Sequence, residues 1–502
     1  MITVNTLEEK QLWFVTGSQH LYGPEVIDKV KKHAEEVTTA LDRSEAMPVS
    51  IVSKGVLTTS DSIDRIVADA NSDPNCIGIV AWMHTFSPAQ MWIQGLQNLT
   101  KPFAQLHTQF NKEIPWDSID MDFMNLNQSA HGGREFGFVT SLLNIPRKVI
   151  VGHWKDAGVQ EKLGDWARVA LAHADARTGR IARFGDNMRR VAVTEGNKVS
   201  ARRVFGYRVE GFGVGDLVEY LNAVDERSMD TLVTEYEDSY NVAPELRKGG
   251  ERHESLRYAA RQELGIKAFL EEGDFIGFTD TFEDLHGIDQ LPGLAAQRLM
   301  AEGYGFGAEG DWKTAAFLRA AKVMSIGKSA GTSFMEDYTY DFSGAESRVL
   351  GAHMLEVCPT IADSKPSVEI HPLGIGGKSD PVRAVFDGVP GPARNATIVE
   401  VGGRFRMIVN EVIAEKPDKP MPNLPVARVL WKPLPDLETA AAAWILAGGA
   451  HHTVYTQAVS QEQLLDYGKT IDIETITIDS NTTIREVEER LRWNDLYYRL
   501  KW

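Results

Sequence analysis

Cysteine is scarce in this chain. Two residues in 502, Cys76 and Cys358, exclude a disulfide framework and a thiolate-rich zinc site, and they form no C-x-x-C motif. Long hydrophobic runs are missing as well. No apolar stretch reaches the ~18 residues that a membrane-spanning helix needs. The opening MITVNTLEEKQLWFV has neither the basic stretch nor the long apolar core of a secretory signal, so a cytoplasmic location is expected. Positive charge is in deficit, with 53 Lys and Arg against 70 Asp and Glu, a formal net charge of −17. Such a surface repels phosphate backbones and argues against general nucleic-acid binding, while it attracts divalent cations. Internal repeats and low-complexity tracts are absent. What is present is an ordinary globular balance, 43% apolar and 25% charged, in a chain long enough for about three domains at ~150 residues each.

The N-terminal third alternates strand and helix signals. Leu12–Thr16, Val49–Ser53, Ile77–Met83, Phe103–His107 and Lys148–Val151 read as strands. Pro24 opens a helical pattern carrying Val26, Ile27, Val30, Ala34, Val37 and Leu41, and a second helix is expected to be capped by Ser60 or Asp61. A further helix is expected from Ser87-Pro88. This rhythm predicts a parallel sheet covered by helices. It continues less regularly through a strand at Ile181–Phe184, helices at Asp216–Val224 and Glu251–Leu270, and a strand at Phe275–Thr279. After about residue 330 the texture changes to strand-like runs split by Gly and Pro, including Val349–Val357, Thr397–Val401 and Phe405–Ile413, which predict an antiparallel, barrel-like β domain with a closing helix at Ile484–Leu491. The expected division is therefore an N-terminal α/β domain over 1–178, a central α/β domain over 179–330, and a mainly antiparallel β domain over 331–502.

A literal G-x-G-x-x-G runs from Gly305 to Gly310. A dinucleotide site would need a strand before it, and the preceding GLAAQRLMAEGYG reads as helix, so a nicotinamide site is rejected. The glycines are expected instead to let the backbone turn around Glu309. Several ionisable residues share this setting of small or apolar neighbours: Glu309 in GAEGDWKTA, Glu336 in GTSFMEDYTY, His353 in GAHMLEV, and His451 and His452 in AGGAHHT. Burial there is costly unless the groups pair or hold an ion. Carboxylates and imidazoles without a thiolate suit a divalent metal such as Mn²⁺. In an extended segment adjacent histidines face opposite ways, so one of the pair, not both, is expected at such an ion. The loop Gly17-Ser-Gln-His-Leu-Tyr-Gly23 follows the first strand, where ligands bind in open α/β sheets, and it offers Gln19 and Tyr22 to a polar ligand. The stretch Trp116–Gly137 is too polar for core and too rich in Met and Phe for a linker, and reads as a pocket wall or an interface.

These stretches, with VTGSQHLYGPE, HTFSPAQMWI, RFGDNM, TFEDLHG and LGIGGK, run over nearly the whole chain, and together the chain resembles the L-arabinose isomerase family. The resemblance implies two Rossmann-like α/β domains and a C-terminal β-barrel-like domain, a fucose isomerase-like architecture. It implies a metal-dependent aldose–ketose isomerase of L-arabinose catabolism that interconverts L-arabinose and L-ribulose, and D-galactose and D-tagatose, through an enediol. It implies one Mn²⁺ per subunit, replaceable by other divalent ions, on Glu309, Glu336, His353 and His452. Glu309 and Glu336 would be the catalytic proton-transfer pair; the resemblance does not assign base and acid between them, and the working hypothesis takes Glu309 as base and Glu336 as acid. The substrate-binding positions carried over are Gln19, Leu21, Gln128, His131, Met188, Phe282 and Tyr338, of which the first four would come from a neighbouring subunit. The implied assembly is a homo-oligomer, a hexamer built as a dimer of trimers or a tetramer, with the active site at a subunit interface and no membrane or nucleic-acid partner.

Three other readings compete on the sequence alone. A fucose-type isomerase would share the architecture. A non-catalytic sugar-binding module has no need of the glutamate pair. A retaining glycosidase uses two carboxylates but has no use for His353 and His452 as ligands.

Overall fold

The computed structural model describes Leu7 and residues 9–344 and 346–501. Two compact units are present, one ending at Ala174 and the other beginning at Asp175.

The first unit is built on five parallel strands, β1 (Gln11–Gly17), β2 (Ser50–Leu57), β3 (Cys76–Met83), β4 (Phe103–His107) and β5 (Lys148–Val151), in the order β2-β1-β3-β4-β5. Every residue of β3 is buried, as its unbroken apolar run predicts for a central parallel strand. The helix Pro24–Asp42 starts with Pro in its first turn and buries Val30, Ala34, Val37 and Leu41, the 3.6-residue stripe visible in the sequence. The next helix, Ser60–Ser72, is capped one residue earlier than expected. Thr59 accepts from the Ser62 backbone N–H while the Ser62 side chain accepts from that of Thr59, a reciprocal box that outcompetes Ser60 or Asp61. Ser87-Pro88 opens only a 3₁₀ turn, Ala89–Trp92, and the short helix Ile93–Asn98.

The second unit contains β6 (Arg180–Phe184), β7 (Arg208–Phe212), β8 (Asn241–Val242), β9 (Gly277–Asp280), β10 (Gly305–Gly307), β11 (Thr332–Asp341), β12 (Arg348–Ala352), β13 (Ser367–Ile370), β14 (Val382–Val385), β15 (Gly391–Val401), β16 (Arg404–Glu415), β17 (Arg428–Pro433), β18 (His452–Thr456) and β19 (Glu474–Ile478). A second parallel sheet has the order β10-β9-β6-β7, and β14-β13-β8 form a small mixed sheet. The largest sheet runs β15-β18-β11-β12-β17-β16-β19, and β15 also pairs with β16, so six of its strands follow one another in a closed cycle of pairings. Its ladders are antiparallel except β16–β19, which is parallel. The C-terminal texture therefore holds a mixed sheet, and the helices Leu437–Leu446 and Gln461–Thr470 interrupt it before the closing helix Ile484–Lys501.

The glycine motif is where the parallel sheet meets the helix Trp312–Met324, which is buried along its whole length. Gly305 and Gly307 are themselves the short strand β10. A Cβ on Gly305 would lie 2.0 Å from the Ala315 carbonyl oxygen, and one on Gly307 would lie 2.3 Å from that of Asp311. The glycines thus serve helix–strand packing. A buried ion pair fixes the same helix: Arg319 donates to Asp175 at 2.8 and 2.9 Å and to the Gly303 carbonyl at 3.0 Å.

Substituting Gly307→Ala is predicted to destabilise the protein by about 1–3 kcal/mol through overpacking against backbone. Gly215, in the helix Val214–Ala223, has no atom within 4 Å of a Cβ position. Gly215→Ala should instead stabilise by about 0.4–1 kcal/mol, because it restricts only the unfolded chain. Denaturant unfolding of the two variants checks both signs.

Candidate active site

Sheet register brings three of the candidate residues together. On β11, Glu336 stands directly opposite His452 of β18 on one side and Ala352 of β12 on the other. Directly opposed side chains lie within ~5 Å of each other, so His452 is delivered to Glu336 by pairing alone. His353 follows Ala352 immediately. The fourth residue, Glu309, arrives from the parallel sheet, in the turn between β10 and the helix Trp312–Met324.

Glu309 adopts φ +59°, a left-handed conformation disfavoured for a side-chain-bearing residue, and Gly310 follows at φ +78°. The surrounding backbone enforces it. The Met188 N–H donates to the Glu309 carbonyl at 3.0 Å, and the Gly310 N–H donates to the Asp280 carbonyl at 2.9 Å. Strain of this kind persists only where neighbours over-determine it, and it clusters at functional sites.

The ionisable atoms converge closely. The His353 Nε2 lies 3.3 Å from the Glu336 Oε1, and the His452 Nε2 lies 3.2 Å from the same oxygen. The His452 Nε2 is also 3.7 Å from the Glu309 Oε2. His452 is fully buried and His353 and Glu336 nearly so. Both imidazoles flank the Phe334 ring, with centroids 5.1 Å away for His353 and 5.2 Å for His452. Glu309 and His353 line a cleft with Asp280, Phe282 and Glu356.

The electrostatics follow from this crowding. Burial disfavours an imidazolium at His452, but the Asp311 and Glu336 carboxylates outweigh it and carry its pKa up to about 9. His353 is raised in the same way by Glu356 and Glu336, again against burial. Burial pushes the Glu336 carboxyl up, yet His353 and His452 hold it below its ordinary value. Asp280 is buried beside Glu356 and rises to about 7.

The donor set fits a divalent cation. The His452 Nε2 is buried and makes no hydrogen bond, an arrangement that costs free energy unless another group takes the lone pair. Ligand atoms of one ion, each ~2.0–2.2 Å from it, stand ~3 Å apart, and the Nε2–Oε1 separations here are close to that. Glu309, His451 and His452 also gather one ligand atom each within 4.8 Å.

His451 departs from the expectation that one histidine of the pair turns away. The extended strand begins only at His452, so the alternation argument does not reach back to His451. Its Nε2 stands 3.8 Å from the Glu309 Oε2, and the ring is half exposed. The strand expected over Val349–Val357 likewise ends at Ala352. The chain then turns, and Glu356 comes back to the His353 Nδ1 at 2.5 Å. Asp311, two residues beyond Glu309, accepts from the His452 Nδ1 at 3.0 Å. Neither Asp311 nor Glu356 was singled out by spacing; the i, i+3 interval in His353-Met-Leu-Glu356 is a signal only once the turn is known.

Of the other candidates, Phe282 lines the cleft, and Met188 meets Glu309 through its backbone. Tyr338, on β11, is half exposed, and partial burial with the charges of Glu336 and Glu309 raises its phenol. Gln19, Leu21, Gln128 and His131 belong to the first unit. There the Gln128 Nε2 donates to the Tyr22 Oη at 3.2 Å, and the Gln128 Oε1 lies 3.2 Å from the His131 Nδ1. Leu21, in the 3₁₀ turn that follows Gln19, is 82% exposed.

Comparison with known proteins places the chain in a family. Residues 6–178 match the L-arabinose isomerase N-terminal domain, residues 180–327 the central domain and residues 331–474 the C-terminal domain. An L-arabinose isomerase of Herpetosiphon aurantiacus is 59% identical over 98% of this chain and 99% of its own length. Those of Koribacter versatilis and Geobacillus kaustophilus, at 58% and 56%, have the same coverage. The class these matches define is the aldose–ketose isomerases, intramolecular oxidoreductases. The chain belongs to the L-arabinose isomerase family.

Because the folded state raises the His452 pKa, this residue contributes stability that is complete below its unfolded value near 6.5 and is lost as pH rises toward about 9. In buffer containing EDTA, the stability difference between the wild type and His452→Gln is predicted to shrink from pH 6 to pH 9. Denaturant unfolding at several pH values measures it, and a constant difference contradicts the assignment.

Proposed function

We propose that this chain interconverts L-arabinose and L-ribulose by proton transfer between C2 and C1 of the sugar, with Glu309, Glu336, His353 and His452 holding one Mn²⁺ or a similar divalent ion. The observation that carries the reading is the chain of close contacts that joins two carboxylates and two imidazoles, His353 to Glu336 to His452 to Glu309, with a buried imidazole nitrogen left without a hydrogen bond. A bound divalent ion supplies Lewis acidity: it polarises the carbonyl and stabilises the negative charge that develops on the sugar oxygens.

The residues of the chain do the rest. The C2–H is too weakly acidic to ionise in water unaided. Glu309, at the wall of the cleft, takes the C2 proton as general base, giving an enediol, and returns a proton to C1. Glu336 moves the hydroxyl proton from O2 to O1. Atoms balance without an external oxidant, since C1 gains one proton for the one that C2 gives up, after exchange with solvent on the glutamate. A positioned acid or base contributes ~10²–10⁴-fold to such a transfer. Phe282 and Tyr338 flank the sugar, and Met188 holds the Glu309 backbone in its strained turn, consistent with the 3.0 Å hydrogen bond.

The hydrogen-bonding groups of Gln19, Gln128 and His131, with Leu21, are assigned to the substrate site of a neighbouring subunit in a hexamer or tetramer. The exposure of Leu21 supports this. D-Galactose, with its conversion to D-tagatose, is a second expected substrate, and arabinose catabolism in the cytoplasm the expected role. Among the described residues no helix is long and apolar enough to cross a membrane.

Glu309→Gln and Glu336→Gln are each predicted to lower ketose formation from L-arabinose by at least ~10²-fold while far-UV circular dichroism stays unchanged. In deuterated water the enediol route places solvent deuterium at C1 of the product. Product without label would instead favour a hydride shift, and near-wild-type turnover in either glutamine variant would remove that residue from the proton path.

A further inference from the structure

We propose that Asp311 and Glu356 are positioning residues for the cation, each binding the Nδ1 of one histidine so that both Nε2 lone pairs are committed to the same point. This inference rests on the divalent-ion reading of the site.

A neutral imidazole carries one N–H and one lone pair, and a carboxylate at one nitrogen keeps the proton there. The Asp311 Oδ2 accepts from the His452 Nδ1 at 3.0 Å, and the Glu356 Oε2 sits 2.5 Å from the His353 Nδ1. The opposite edges of the two rings then meet, with both Nε2 atoms within 3.3 Å of the Glu336 Oε1. The arrangement is symmetric in chemistry but not in origin. Asp311 comes from the turn before a buried helix and Glu356 from the turn after β12, so two separate elements supply the same orienting contact.

The Asp311 carboxylate is itself fixed. Asp311 accepts from the backbone N–H groups of Lys313 and Thr314 at 3.2 and 3.3 Å, from the Thr314 hydroxyl at 2.8 Å, and from the Lys313 ammonium at 3.0 Å. Glu356 is buried, in a turn where the Val357 N–H donates to the Leu355 carbonyl at 3.3 Å. Phe334, packed edge-on against both rings, restricts the remaining freedom. An imidazole whose distal nitrogen is anchored in this way is also the more basic ligand, and removing such an anchor typically weakens metal binding 10–100-fold.

The test measures binding of Mn²⁺ alone, by the electron paramagnetic resonance signal of the free ion, to wild type, His353→Ala, Glu356→Ala, Glu356→Gln and Asp311→Asn, with the unfolding midpoint of each in EDTA. Glu356 carries the main weight because Asp311 also caps a helix. Glu356→Ala is expected to lose 10–100-fold in Mn²⁺ affinity with its metal-free midpoint unchanged, and saturating Mn²⁺ should restore most of its turnover. Glu356→Gln and Asp311→Asn keep an oxygen that can accept from Nδ1 and are expected to lose less. If His353→Ala weakens binding and Glu356→Ala does not, the positioning role is overturned and the cation site stands. If the wild type binds no Mn²⁺, the cation site and this inference fail together.

Discussion

Ionisable groups withdrawn from water must neutralise one another, and this requirement shapes the site more than any single contact. His452 links the group, with its Nε2 3.2 Å from Glu336 and 3.7 Å from Glu309, and His353 stands 3.3 Å from Glu336, with His353, His452 and Glu336 all buried. An isolated carboxylate or imidazolium in such a place is costly. In the protein alone, the neighbouring carboxylates favour the protonated imidazoles, so both histidines are raised, and the histidines in turn hold Glu336 low. A divalent ion bound there would do the same neutralisation with two charges at one point and would leave the imidazoles neutral. Either arrangement would balance the charges, which is why so many of them can tolerate burial.

The fold meets this requirement by joining two kinds of sheet. Antiparallel register on β11 sets Glu336 opposite His452 and beside the end of β12, which needs no long-range coincidence beyond correct strand pairing. The parallel sheet brings Glu309 on a turn held by hydrogen bonds from Met188 and Gly310, the latter to Asp280. Gly305 and Gly307 make that turn possible, since any side chain there would meet the backbone of the helix Trp312–Met324. A motif with the spacing of a dinucleotide loop is thus used for close packing beneath a carboxylate.

Much of this was legible in the sequence. The parallel strands of the N-terminal part follow from unbroken apolar runs such as IGIVAWM, and the helix Pro24–Asp42 from its apolar stripe. Glu309, Glu336, His353 and His452 stand out as ionisable residues among glycines and apolar neighbours. Their convergence is not visible locally, because it depends on pairing between strands more than a hundred residues apart. Asp311 and Glu356 escaped notice for a different reason. Each looks like an ordinary helix cap or surface acid until a turn returns it to a histidine. His451 misled because alternation was applied to a residue that precedes the strand. The closed cycle of six strands and the parallel addition of β19 depend on which edges pair, and strand-like runs alone do not specify that.

The central claim is that one divalent ion, held by this cluster, is required for the isomerisation. The most direct measurement strips the protein with chelator, adds back Mn²⁺ in steps, and follows bound ion per chain together with ketose formation from L-arabinose. The account predicts that activity vanishes in the stripped protein and rises in proportion to occupancy, reaching its plateau at one ion per chain. Full turnover by protein shown to be free of divalent metal would contradict it.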